Sequence, residues 1–411
     1  MRATTPVQIF LTLILALTSL MPAPAAARQL AQKPASLPEL SWPPPGQPWE
    51  TEPTKAFARA QREHKLVFLL VCTTGCPHCN KLAHQTWGNP ALAWLRHKLV
   101  LLAAHGSRPT DGATLLRMNT MTYPSMFLLG SQGQILNPNL RRDDPRELSL
   151  NLQRVLAHQA LPEPLKPLQL SAGLLARVPG AQRQLAVNPN PYLHDKVWLP
   201  LIPKLSLEQA LELWQRDPDP VIQLAILDRL ASIKPMPRTL PGYILKLIRH
   251  PNMHIKKRAI NYAVTRRYPG TRETLEAELT LLLLPAAQTS GNTNVVRSML
   301  VKGLGELGEA ASTPLLARVM TYDSIYNHNQ YMASEALFKI WQRHHNPEAA
   351  RALVRGIDRE LPADMNKSDK QFFIITLREL SAIFGEDLTA LPIKDGIARS
   401  LILAKTKLPA R

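Results

Sequence analysis

The feature that most constrains this chain is Cys76-Pro77-His78-Cys79, placed directly behind an unbroken apolar run, Leu66 to Cys72 (LVFLLVC). A continuous apolar run of this length suits a strand buried on both faces. The residues after Cys76 read as a helix. Two cysteines three apart at a helix start put the first sulfur among unpaired backbone N–H groups at the positive dipole end. A thiolate is stabilised there, which makes it both a good nucleophile and a good leaving group. The second sulfur, one turn on, can close a disulfide with the first. Pro77 suits the first helical turn, and His78, when protonated, adds positive charge beside the thiolate. The chain has 3 cysteines in 411 residues. That excludes a disulfide-rich scaffold and leaves one redox pair plus Cys72.

The N-terminus frames this chemistry. Met1-Arg2, an apolar run from Ile9 to Met21 and Ala25-Ala26-Ala27 read as a cleavable signal peptide over 1–27. The run is shorter than the roughly 20 residues a membrane span needs. No Cys follows the small residues, so a lipoprotein is not expected. A periplasmic or secreted protein is expected, in a compartment where disulfides persist. The net charge of +18 is then expected to belong to a solvated surface, with attraction to anionic envelope polymers or acidic clients as the alternative and no nucleic acid as partner. Its Lys and Arg are scattered apart from short groups such as Arg141-Arg142 and Lys256-Lys257-Arg258.

Hydrophobic residues are 45% and charged residues 19% of the chain, which excludes wholesale disorder. Residues 28–50 (Ser41-Trp42-Pro43-Pro44-Pro45-Gly46) read as a Pro-rich tether, or a strap over the next unit. Residues 51–160 alternate helix and strand in the order α-β-α-β-α-β-β-α, a small α/β domain. Its last helix is expected over Pro145 to His158. Residues 161–203 hold eight prolines and read as a linker with little regular structure. Residues 204–411 read as helical throughout and are expected to fold apart from the α/β unit. Turns rich in Asp, Asn and Pro precede helices whose matching positions, Ala225, Ala259, Leu300 and Ala333, recur at intervals of 34, 41 and 33.

These motifs carry a resemblance. Glu52 to Ala157 resembles the thioredoxin fold, most of all exported thioredoxin-like domains whose first helix ends in Lys before the strand (AFARAQREHKLVFLLV). The helical half resembles HEAT repeats, best at VRSMLVKGLGELG, residues 296–308. The fold class implied is an α/β thioredoxin-like domain followed by an all-α HEAT-like solenoid. The resemblance implies a thiol–disulfide oxidoreductase with a redox-active Cys76–Cys79 disulfide, Pro77 and His78 as tuning residues, and no cofactor. Tyr123-Pro124 stands where the family keeps a cis-proline that contacts the client chain. Partners would be client proteins with thiols or disulfides, and a redox partner protein.

Direction stays open. Cys-Pro-His-Cys resembles the site of periplasmic disulfide-introducing oxidases, and Leu70 replaces the buried acid that reductases of this fold use. The first helix instead resembles domains that pass electrons inward as reductants. Cys72, where Trp is common, reads as a buried free thiol, with a third redox partner as the alternative. A non-enzymatic binding protein working through the solenoid, and copper or zinc handling by Cys76, Cys79 and His78 or His84, are the competing functions. His250, His254 and His344-His345 read as turn residues, and the tryptophans as core or edge packing.

Overall fold

A computed structural model describes residues 42–408 apart from 109–110, 121, 139, 141–143, 159–161, 285–290, 323–326, 359–360, 362–364 and 366. The expected signal peptide lies outside these residues, as does 28–41 of the tether.

The first unit is a four-stranded mixed sheet between helices. Helix α1 (Pro53–Arg62) leads into β1 (Leu66–Cys72), then α2 (Pro77–Gln85), α3 (Leu95–Lys98), β2 (Leu99–His105), α4 (Gly112–Arg117), β3 (Ser125–Leu129), β4 (Ile135–Asn137) and α5 (Pro145–His158). Strand order is β2-β1-β3-β4, with β1 parallel to β2 and antiparallel to β3. Every residue of β1 and β2 is buried, as their continuous apolar runs require. The strand's two-residue period sorts β1 between two apolar clusters. Leu66, Phe68, Leu70 and Cys72 join Cys79 and Leu82 of α2 and Leu148 and Leu152 of α5. Val67, Leu69 and Val71 join Ala56, Phe57 and Ala60 of α1 and Leu115 of α4.

Residues 42–50 strap this unit. The Trp49 ring meets Trp87 edge-on at 5.1 Å, and Glu50 exchanges backbone hydrogen bonds with Leu101 and Ala103 of β2 at 2.8 and 2.9 Å. The end of the expected tether therefore belongs to the α/β unit.

The expectation of an irregular linker over 161–203 is corrected. Its first part, Pro162 to Ser171, lacks helix. Then come α6 (Ala172–Leu175), α7 (Arg183–Ala186) and α8 (Pro191–Trp198). Leu174, Val178, Ala186, Val197 and Trp198 lie in the same apolar core as the helices beyond. Two of the prolines open elements instead of breaking them. Pro191 holds the first turn of α8, and Pro203 the first turn of a short 3-10 helix. At a first turn the missing N–H costs nothing.

Among the described residues eleven further helices follow: α9 (Leu207–Arg216), α10 (Pro220–Ser232), α11 (Leu240–Leu247), α12 (Met253–Arg266), α13 (Thr271–Leu282), α14 (Gly291–Leu307), α15 (Thr313–Tyr322), α16 (Asn327–His344), α17 (Pro347–Ile357), α18 (Lys367–Phe384) and α19 (Ile393–Lys407). Each packs on at least one chain neighbour, and α10, α12, α14, α16 and α18 also pack in succession on one another. The recurring positions Ala225, Ala259, Leu300 and Ala333 fall on four of these stacked helices. Small residues let the row close up: a Cβ on Gly305 of α14 would stand 2.8 Å from the Ala336 Cβ of α16. None of the described helices is long and apolar enough to cross a membrane.

The two units share a buried polar interface. Arg117 at the end of α4 reaches across to Asp219, the N-cap of α10, at 2.8 and 3.0 Å, and to Asp195 of α8 at 2.8 Å. Its guanidinium also lies 4.2 Å over the Tyr192 ring, which stacks on Phe57 of α1.

Candidate active site

The site lies where β1 ends. Gly75 turns the chain at φ 75°, a left-handed conformation that favours glycine. Cys76 follows as the N-cap of α2 with extended backbone, and its Sγ accepts the Cys79 backbone N–H at 3.2 Å. Pro77 fills the first turn. Cys76 and Cys79 form a disulfide with their Cα atoms 5.2 Å apart, well inside the range a disulfide spans. Cys79 is fully buried, Cys76 is partly exposed, and Pro77 and His78 are exposed. The attackable sulfur is the one at the surface. A thiolate at Cys76 would receive the N–H of Cys79 and the helix dipole together, the arrangement that lowers a thiol pKa.

The fold brings the second half of the motif to the same end of the sheet. Ser125 pairs with Val71 in register, so Tyr123 and Pro124, just before β3, border the exit of β1. The Tyr123–Pro124 peptide is cis. Pro124 is buried, and the Tyr123 ring lies against Gly106, where a Cβ would meet its hydroxyl at 2.6 Å. Tyr123 also packs on the apolar cluster that contains Cys79.

Leu70 is fully buried in that same cluster. The cluster that Leu70 shares with Cys79 is apolar. Cys72 shares the cluster, and burial pushes its thiol up to about 12. In the reduced native protein, iodoacetamide should therefore label Cys76 first and Cys72 only on unfolding. Labelling of Cys72 ahead of Cys76 would reverse the assignment of the reactive thiol.

Sequence reasoning passed over His105. It closes β2 opposite Cys72 in parallel register, and Trp42 from the strap meets its ring edge-on at 5.0 Å. The Ser107 N–H points at its Nδ1 (3.3 Å), which assigns the ring proton to Nε2, 3.4 Å from the Thr74 hydroxyl. Burial, with Arg108 adding to it, holds this imidazole below its usual pKa. A neutral histidine thus braces the turn that presents Cys76. The available signal was a lone polar residue ending an apolar run, LVLLAAH.

His254, expected in a turn, lies instead in the first turn of α12, and its ring reaches the Thr120 carbonyl of the α/β unit at 3.2 Å. The His84 side chain lies outside the described residues. Among the described residues no three His, Cys, Asp or Glu side chains converge as a metal site. No protein-family model matches this chain, and no curated protein matches it either.

Proposed function

We propose that the chain is an exported thiol–disulfide oxidoreductase: a thioredoxin-like domain carrying the chemistry, followed by a HEAT-like helical domain. The carrying observation is the Cys76–Cys79 disulfide at the start of α2, with the surface sulfur at the helix N-cap and the buried one behind it. The neighbouring cis Tyr123–Pro124 loop supports the thioredoxin-like reading. The stacked row of α10, α12, α14, α16 and α18 supports the HEAT-like one.

Oxidation of client dithiols is the favoured direction. A client thiolate attacks Cys76 Sγ, the Cys76–Cys79 bond breaks, and Cys79 leaves as a thiolate. The second client thiolate then attacks the client sulfur of the mixed disulfide and expels Cys76. Two electrons pass to the protein, and a redox partner protein with a disulfide takes them up. In the reverse direction Cys79 must be deprotonated to resolve a mixed disulfide, and buried Leu70 offers no carboxylate for that step. A stabilised Cys76 thiolate favours the dithiol form, so the disulfide becomes a stronger oxidant.

Equilibration with glutathione tests this. The expected potential lies well above the roughly −270 mV of thioredoxin, with a model dithiol oxidised stoichiometrically. A potential near that of thioredoxin would leave a reductase. A protein that neither oxidises nor reduces a model dithiol would instead be a binding protein built on this scaffold.

A further inference from the structure

The segment that runs from α4 into the Tyr123–Pro124 loop is held from the helical domain. The end of α4 and the start of α12 are tied to one another by side-chain hydrogen bonds. The Asn119 side-chain oxygen accepts the Met253 N–H at 2.7 Å, and its amide donates to the Pro251 carbonyl at 3.2 Å. Asn252 answers in the opposite direction. Its side-chain oxygen caps the His254 and Ile255 N–H groups, while its amide donates to the Leu116 carbonyl of α4 at 2.9 Å.

One residue on, the contact reaches the loop itself. The Thr120 carbonyl can only accept, so His254 Nε2 carries the proton and donates at 3.2 Å. The Thr120 hydroxyl lies 2.9 Å from that of Ser125, and the Ser125 hydroxyl donates to the Thr122 carbonyl at 2.6 Å. These bonds bracket Tyr123 and Pro124 from both sides. Through Thr120, hydrogen bonds thus link the N-terminus of α12 to the loop beside the cysteine pair.

We propose that Asn252 and His254 of the helical domain are positioning residues of the thiol site, fixing the Tyr123–Pro124 loop in the conformation that receives a client chain. The functional half of this inference rests on the thiol–disulfide reading above. The helical domain then does more than display a surface: it sets client affinity at the cysteines, and the α/β unit alone has a slack client loop. Small dithiols, which reach Cys76 without the loop, are indifferent to it.

The test uses the full chain and three variants. Asn252→Asp keeps the oxygen that caps α12 but removes the donor to Leu116. His254→Ala removes the donor to Thr120, and His254→Gln restores an N–H of similar reach. Loss of one such buried bond is worth about a factor of ten. Hydrogen exchange of the amides over 122–128 should accelerate about tenfold in Asn252→Asp and in His254→Ala. KM for a cysteine-pair peptide should rise by a similar factor, with turnover of dithiothreitol and the glutathione equilibrium unchanged. His254→Gln should recover both. Unchanged exchange over 122–128 in folded His254→Ala and Asn252→Asp overturns the inference. Acceleration spread evenly through α4 and α12 also overturns it, by showing a merely structural role. Exchange needs no turnover, so a wild-type protein inactive on every dithiol strikes the thiol–disulfide reading while the loop coupling is still decided.

Discussion

Replacing Cys76 with Ser should abolish dithiol oxidation, by about a thousandfold or more, while Cys79→Ser should accumulate as mixed disulfides. The asymmetry follows from exposure and helix position. Cys76 is the partly exposed sulfur, at the N-cap of α2, and Cys79 is buried beneath it. A serine hydroxyl at 76 neither ionises near neutral pH nor forms a disulfide, so no covalent intermediate can start. A serine at 79 also removes the oxidising disulfide, but it leaves the Cys76 thiolate free to attack a client disulfide and form an adduct that no Cys79 thiolate can resolve. In Cys79→Ser cells, acid trapping and non-reducing electrophoresis should show client adducts that disappear with dithiothreitol. Adducts on Cys76→Ser and none on Cys79→Ser would exchange the two roles. Either outcome requires Cys72 to stay silent, because its buried thiol is protonated under these conditions.

The second large effect is on stability. Arg117→Ala should cost about 3–5 kcal/mol, the usual penalty for removing one partner of a buried ion pair. Burial opposes the guanidinium charge, but Asp219, Tyr192 and Asp195 outweigh it and hold its pKa above the ordinary value. Without Arg117, Asp219 and Asp195 lose their charge-assisted bonds across the interface. Arg117→Lys should recover only part, because an ammonium cannot bond two carboxylates and the Pro191 carbonyl in one plane. Urea titration followed by circular dichroism reads both variants. A loss under about 1 kcal/mol for Arg117→Ala would mean that the interface is solvated.

The same cluster fixes a pH dependence. His194 lies 3.2 Å from Asp217 and 3.7 Å from Asp219. Burial pulls its pKa down, but the pairing with these two carboxylates wins and pushes it up to about 10. A raised histidine contributes stability that is complete below its unfolded pKa of about 6.5 and is lost as pH rises through about 10. For Asp219, burial pulls upward but His194 and Arg117 prevail and hold the carboxyl below its ordinary value. Its contribution is present above about 3.9, the unfolded value, and is lost as pH falls through the lower folded one. The interface should therefore be tightest between about pH 4 and pH 6.5. His194→Gln should flatten the alkaline limb of a stability–pH profile.

Local pattern carried the elements. Two uninterrupted apolar runs had to be buried strands, because no polar face was left to meet water, and β1 matches its expected bounds. The helix over Pro145–His158 was likewise legible from its period and its opening proline. The cysteine pair announced its own geometry, since strand end, turn glycine, N-cap and first-turn proline are all set by neighbours in sequence. The recurring helices were visible because small and apolar residues return at intervals of 34, 41 and 33.

What the sequence could not place were single polar residues whose partners lie far along the chain. Arg117 reads as a surface cation closing a short helix, and it becomes the buried pivot of two domains only because folding brings Asp195 and Asp219 to it. Asn119, Asn252 and His254 look like ordinary turn residues, and the exchange of caps between α4 and α12 exists only once those ends meet. His105 gains its role from Trp42 and Thr74, each from a different segment. The prolines of 161–203 misled for the same reason. Whether a proline breaks a helix or opens one depends on what packs around it, and here Trp198, Val197 and Leu174 bury the short helices in the core. Sequence period encodes which face is buried. Which charge meets which depends on tertiary contact, because a lone polar residue has no period to read.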